Sequence, residues 1–180
     1  MKIYTKKGDK GETRMLFGDA VSKDDLAPDA YGSVDELVAA LGLIRSNAQL
    51  PIEVKETVLR IQRELFIVGA ELATTKENRK KLEPQKTLVE KKMILKLEED
   101  IDFLEEKNGI PEFFVVPGEN EISAKFDWAR VVSRRAERKC VRWQRNLEIT
   151  DSEVVVYLNR LSDLLWMLAR EFESDWTPSK

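Results

Sequence analysis

The sequence predicts an all-α fold, a bundle of four or five helices in a single domain. Apolar residues recur with a 3.6-residue period in five stretches, short links carrying turn or cap residues join them, and no segment shows convincing strand alternation. At 180 residues, the chain is long enough for one real core and too short for two domains.

The first stripe is Val34, Leu37, Val38, Leu41 and Ile44, with Ser33 as the expected N-cap. The second helix opens at Pro51, a residue suited to a first turn because it lacks an N–H to satisfy. Its stripe is Val54, Val58, Ile61, Leu65, Val68 and Leu72. The third carries Ile94, Leu97, Ile101 and Leu104, and Asn108-Gly109 is its stop signal. The fourth runs from about Ile122 to about Trp143, burying Phe126, Ala129, Ser133, Ala136, Cys140 and Trp143. The fifth has Val154, Leu158, Leu161, Leu165 and Leu168, with Asp151 or Ser152 near its start. Residues 1–30 hold no sustained period, and residues 75–87, lysine-rich around Pro84, are expected to form an exposed loop.

Composition narrows the chemistry. A net charge of −3 gives no overall attraction to nucleic acid or anionic lipid, so an anion site must be a local cluster. The single cysteine, Cys140, excludes an intrachain disulfide and a thiolate metal cage. No apolar run approaches the roughly 20 residues that span a bilayer, and no signal-type stretch opens the sequence. A cytoplasmic protein without membrane or nucleic-acid partners is the expectation. The sequence contains no histidine, which removes histidine bases, classical triads and most catalytic zinc sites.

Four constellations could carry chemistry. The run Tyr4-Thr5-Lys6-Lys7-Gly8-Asp9-Lys10-Gly11-Glu12-Thr13 offers close backbone approach and donors to phosphate oxygens, though it lacks the Walker A spacing. A solvated tail has the same composition. Arg130, Arg134 and Arg138 follow one another at i, i+4 and i+8 on the shoulder of the fourth helix, with Arg135 and Glu137 between them. Guanidinium forks in such a row suit a triphosphate, and they equally suit a salt-bridged surface. Asp35 lies on a shoulder of the first helix, where it can pair across an interface or simply be solvated. Asn159 and Asp163 form an i, i+4 polar pair among leucines, pointing either to a buried network or to a ligand contact.

The joint order of these blocks resembles the PduO-type ATP:cob(I)alamin adenosyltransferases. The matching blocks are Thr5-Lys6-x-Gly8-Asp9-x-Gly11 with Val21-Ser22-Lys23-Asp24-Asp25, then Ala30-Tyr31-Gly32-Ser33-Val34-Asp35-Glu36-Leu37. They continue with Phe114-Val115-Val116-Pro117-Gly118, Ala129-Arg130 leading to Arg134-Arg135-Ala136-Glu137-Arg138, and Tyr157-Leu158-Asn159-Arg160-Leu161-Ser162-Asp163. They cover nearly the whole chain except the loop near residues 75–87. The resemblance implies a five-helix bundle that assembles as a homotrimer with active sites between subunits. It implies one domain over residues 1–180, with residues 1–30 as an ATP-binding loop segment and residues 33–172 as the bundle. The reaction implied is transfer of the 5′-deoxyadenosyl group of ATP, bound with Mg²⁺, to the Co(I) of cobalamin or a related corrinoid, releasing triphosphate. A reductase and an adenosylcobalamin-dependent acceptor enzyme are the implied protein partners.

By motif position, Thr5, Lys6, Lys7, Gly8, Thr13, Arg14 and Lys23 would contact ATP from the N-terminal segment. Arg134, Arg135, Ala136, Glu137, Arg138 and Asn159 would do so from the helices. Asp35 and Arg130 match the family's salt bridge across subunits that shapes the corrinoid pocket, and Phe114 matches the aromatic that displaces the lower axial ligand of cobalt. Several residues depart from the family pattern. Lys7 stands where threonine is common and Ala20 where arginine is usual. Phe126-Asp127 replaces a segment that often carries histidine, and Ser133 stands where cysteine is frequent. Glu119-Asn120-Glu121 adds two negative charges near the expected pocket. Two further classes remain: a corrinoid carrier or ATP sensor with the same fold, and a helical interaction protein without a ligand.

Overall fold

The structure, a computed structural model, describes residues 3, 4, 6 and 8–180. Among them, five α-helices follow a short hairpin: β1 (Glu12–Arg14), β2 (Ala20–Ser22), α1 (Leu26–Arg45), α2 (Ile52–Leu72), α3 (Lys91–Asn108), α4 (Glu121–Asn146) and α5 (Val154–Glu171). A 3₁₀ segment, Lys76–Lys81, links α2 to α3. The helical bundle is therefore as expected, with a two-stranded antiparallel hairpin added in residues 1–30.

The helices form because each has one apolar face, and they pack by burying those faces on one another. α4 packs against both α1 and α5, α2 packs against α1, and α3 packs against α5. Leu37, Leu41 and Ile44 of α1, Ile61 and Leu65 of α2, Leu97 of α3, Phe126 and Trp143 of α4, and Leu158 and Leu161 of α5 are buried in one core. A polar chain ties α5, α2 and α3 together. The Tyr157 hydroxyl donates to Glu64 (2.8 Å), Glu64 pairs with Arg60, and Arg60 pairs with Asp100 at 2.6 Å. Burial, reinforced by the Glu64 carboxylate, holds the Tyr157 phenol well above its ordinary pKa. No helix of the described residues is long and apolar enough to cross a membrane.

Element boundaries differ from expectation in three places. α1 begins at Leu26, with Asp25 as N-cap residue, so Ser33 is not a cap. Ser33 sits buried inside the helix, where its hydroxyl donates to the Asp29 carbonyl at 2.9 Å. The helix thus accommodates Pro28 in its first turn, where no intrahelical donor is required of it. Pro51 occupies the N-cap position rather than the first helical one. Residues 75–87 are not simply an exposed loop, since Arg79 reaches inward to the fully buried Glu71 (3.1 Å) and outward to Asp151 (2.9 Å). Glu71 also accepts from the Val89 N–H (2.8 Å) and the Ser152 hydroxyl (2.6 Å), which anchors the 3₁₀ segment to the starts of α3 and α5. At the end of α3, Gly109 adopts φ 72°, the left-handed geometry that a side chain would strain.

Candidate active site

The hairpin pairs Glu12 with Ser22, Thr13 with Val21 and Arg14 with Ala20. Its turn is closed by Met15 N–H to the Asp19 carbonyl (2.8 Å) and Gly18 N–H to the Met15 carbonyl (2.9 Å). That turn docks on the bundle through a set of mutually supporting contacts. Met15 is buried, Leu16 N–H donates to the Ala73 carbonyl (2.8 Å), and Asp19 accepts from Thr75 (3.1 Å) and Asn78 (2.5 Å). Lys81 sits 5.1 Å from the Phe17 ring centroid. The 3₁₀ segment, outside every recognised motif, is what the hairpin rests on.

Above the docked turn, the strands and the preceding loop line a cleft of about 720 Å³. Lys6, Lys10, Arg14 and Lys23 face it against one carboxylate, Glu12, with Gly8, Thr13 and Ala20 completing the wall. Gly8 lies so close to Lys23 that a Cβ there would meet Nζ at 3.0 Å, so the glycine makes room for the ammonium group. Among the described residues Lys6, Lys10 and Lys23 have no ion-pair partner, while Arg14 donates to the Gly18 carbonyl (2.8 Å). A cluster of unpaired cations facing backbone and hydroxyl donors is chemically an anion site. Thus Lys6, Gly8, Thr13, Arg14 and Lys23 share one cleft, whereas Thr5 and Lys7 lie outside the described residues. Lys10 and Glu12 share the cleft too. Both stood inside the Gly/Lys-rich run, so their residue type was the available signal.

Lys23 also borders a second cleft of about 400 Å³ with Asp24, Asp29, Glu36 and Lys139, a lining of mixed charge between the hairpin and α4. Asp29 pairs with Lys139 (2.5 Å), and Glu36 pairs with Arg135. On α4, the core stripe Phe126, Ala129, Ser133, Ala136, Cys140 and Trp143 is buried, which turns Arg134, Arg135 and Arg138 out to solvent. Arg134 and Arg138 have no ion-pair partner among the described residues. Ala136 lies beneath them in the core, and Glu137 accepts from Asn159 at 3.4 Å. Asn159 does not pair with Asp163. Asp163 is exposed and lies 3.6 Å from Arg160, whose other partner is Glu98. The i, i+4 spacing put both on one side of α5, but packing on α4 took Asn159 and left Asp163 in water.

Asp35 and Arg130 are not brought together within the chain. Asp35 borders a groove of about 430 Å³ between α1 and α2 with Tyr31, Val38 and Phe66. Arg130 lies against Asp127 of its own helix at 3.4 Å. Phe114 precedes α4 on an irregular segment and is 85% exposed. Its backbone is held by the C-terminal residues: Ser179 N–H donates to the Phe114 carbonyl (2.8 Å) and Val116 N–H to the Thr177 carbonyl (2.8 Å). The acidic departures beyond it have structural partners. Glu119 accepts from the Ser174 hydroxyl (2.8 Å) and N–H, which lowers its pKa, Asn120 caps α4 in a capping box, and Glu121 pairs with Lys125. The Asn120-x-x-Ser123 spacing carries the cap signal in sequence. The Asp127–Arg170–Glu173 cluster, by contrast, carries none until α4 and α5 are packed.

Residues 3–172 match the cobalamin adenosyltransferase family. The corrinoid adenosyltransferase of Citrobacter freundii is 37% identical over 169 residues, covering 94% of this chain and 93% of that protein. Two solved structures, both single-residue variants of a PduO-type ATP:corrinoid adenosyltransferase from Lactobacillus reuteri complexed with cobalamin and ATP, superpose with a TM-score of 0.84. They are 32% and 34% identical to this chain, cover 94% of it, and are themselves covered over 89% and 92% of their lengths.

Proposed function

This chain belongs to the cobalamin adenosyltransferase family, and we propose on that premise that its hairpin cleft and the free arginines of α4 hold the triphosphate of ATP while a corrinoid approaches C5′. The enzyme is an ATP:corrinoid adenosyltransferase: it transfers the 5′-deoxyadenosyl group of ATP to Co(I) of a corrinoid substrate. The observation that carries the site assignment is the unpaired cation set. Lys6, Lys10 and Lys23 in the cleft and Arg134 and Arg138 on α4 lack carboxylate partners among the described residues.

The chemistry follows from where charge goes. The Co(I) lone pair attacks C5′, the Co–C bond forms, and the C5′–O bond breaks with its electron pair leaving on the triphosphate. No proton is removed from the nucleophile, so a chain with no histidine lacks nothing that the step requires. The protein's work is orientation and stabilisation of the departing negative charge, and both are done by preorganised cations. Lys6, Gly8, Thr13, Arg14 and Lys23, with Thr5 and Lys7, are assigned to ATP from the hairpin side; Arg134, Arg135, Glu137, Arg138 and Asn159 are assigned to it from α4 and α5, while Ala136, fully buried, supports the block from the core rather than touching the ligand. Mg²⁺ enters with ATP. The triphosphate oxygens are its principal expected ligands.

Asp35 on α1 and Arg130 on α4 are not paired within the single chain, and we assign their salt bridge to a contact between copies. We assign the active sites to the subunit interfaces of a homotrimer, with exposed Trp128 and Val131 of α4 available for burial there. Phe114, exposed on its segment, is assigned to the lower face of the corrinoid, where it displaces the axial ligand and eases reduction of Co(II). A one-electron reductase supplies that electron, an adenosylcobalamin-dependent enzyme receives the product, and the cytoplasm is the compartment. Phosphorus NMR of the spent reaction tests the bond assignment: intact triphosphate is expected, whereas ADP with phosphate would contradict attack at C5′.

A further inference from the structure

Arg170 is a buried cation at the end of α5, 2% exposed, and it has two carboxylates. Its Nη2 donates to Asp127 Oδ2 at 2.5 Å, and its Nε lies 2.6 Å from Glu173 Oε2. Its guanidinium carbon sits 5.5 Å from the Trp166 ring centroid, so one face of the group is packed. A guanidinium held on three sides is a fixed point, and a carboxylate bonded to it has little freedom to rotate. Asp127 is itself 5% exposed, with one oxygen committed to Arg170. The other, Oδ1, is thereby aimed one helical turn along α4, where it accepts from Arg130 Nε at 3.4 Å.

The atom that Arg130 uses matters. Nε is the inner donor of the guanidinium, so engaging it leaves the outer fork of Nη1 and Nη2 without an ion-pair partner among the described residues. Arg130 is half-buried, with 28% of its side chain exposed on α4. We propose that Asp127 is a positioning residue: anchored by the buried Arg170, it sets the direction of Arg130 so that the guanidinium fork is presented to the corrinoid pocket. This rests on the assignment of Arg130 to that pocket.

The cluster supplies its own control. Glu173 touches Arg170 but not Arg130, so Glu173→Gln disturbs the buried charge without altering the aim of Arg130. Asp127→Asn is expected to raise the KM for chemically reduced corrinoid about tenfold, with kcat and the KM for ATP nearly unchanged. Glu173→Gln is expected to lower the melting temperature and leave the corrinoid KM alone. In an Arg130→Ala background, Asp127→Asn is expected to add nothing further to the corrinoid KM. An equal KM change in Asp127→Asn and Glu173→Gln, or an additive effect in the Arg130→Ala background, would overturn the positioning role. A normal corrinoid KM in Arg130→Ala alone would overturn the assignment beneath it, and the proposal with it. If Asp127→Asn does not fold, Asp127→Glu keeps the charge but moves the oxygens by one methylene, and the same KM rise is expected of it.

Discussion

The side-chain amide of Asn159 on α5 donates to the Glu137 carboxylate on α4 across 3.4 Å. This contact engages the one acidic side chain within the arginine block of α4, away from Arg134 and Arg138. Both arginines are exposed and lack an ion-pair partner among the described residues. Arg135, between them in sequence, is paired with Glu36 of α1. The block therefore holds two arginines with no carboxylate partner among the described residues, Arg134 and Arg138, beside one, Arg135, that also ties α4 to α1.

Arg134→Ala should lose a charge-assisted bond worth about 1.5–3 kcal/mol, a loss of roughly ten- to a hundredfold in kcat/KM for ATP. Arg135→Ala, which removes an exposed pair worth about 1 kcal/mol or less, should be milder. Steady-state kinetics with ATP as the varied substrate checks both. Equal losses would mean that the distinction between free and paired arginines is unfounded.

Phe114→Ala should impair the route that starts from Co(II) far more than reaction with chemically prepared Co(I). The aromatic is assigned to stripping the axial ligand, a step that Co(I) no longer needs. Parallel assays from the two oxidation states measure this directly, and equal losses on both routes would contradict the role.

Asp19→Ala removes the carboxylate that accepts from Thr75 and Asn78 and thereby holds the hairpin on the 3₁₀ segment. A loss of about 1 kcal/mol of docking corresponds to roughly a fivefold rise in the KM for ATP. The corrinoid KM should hold. A change in the corrinoid KM alone would show that the hairpin serves a different ligand.

Cys140 lies in the core of α4, where burial first, and then the Glu137 carboxylate, push its thiol up to about 12. Native protein should resist thiol reagents at pH 8 and react on unfolding. The folded state keeps a proton that an unfolded thiol loses near pH 8.5, so this group's contribution to stability declines as pH rises above about 8.5. Cys140→Ser should flatten that decline in alkaline melting curves.

The bundle was legible because its stripes are long. Five turns of period 3.6 from Phe126 to Trp143 leave no other reading, and each of those stripe residues is buried. The start of α1 was not, because Asp24, Asp25, Pro28 and Gly32 have the composition of a turn while the burial of Ala27 and Ala30 comes from tertiary packing. The hairpin strands, three residues each, are too short to show alternation. Arg79 and Asp127 look like surface charges in sequence, and they become buried or half-buried partners only once distant helices meet. The cleft cations were readable from the Gly/Lys-rich run, but their shared wall with Lys23 depends on the hairpin register.

Incubating the purified protein anaerobically with Mg²⁺–ATP and chemically reduced cobalamin, while following visible absorbance, measures the adenosyl transfer itself. The cob(I)alamin spectrum should convert to that of adenosylcobalamin, with one triphosphate released per adenosyl group. Saturable binding of both ATP and cobalamin without conversion would contradict it and make the chain a carrier or sensor.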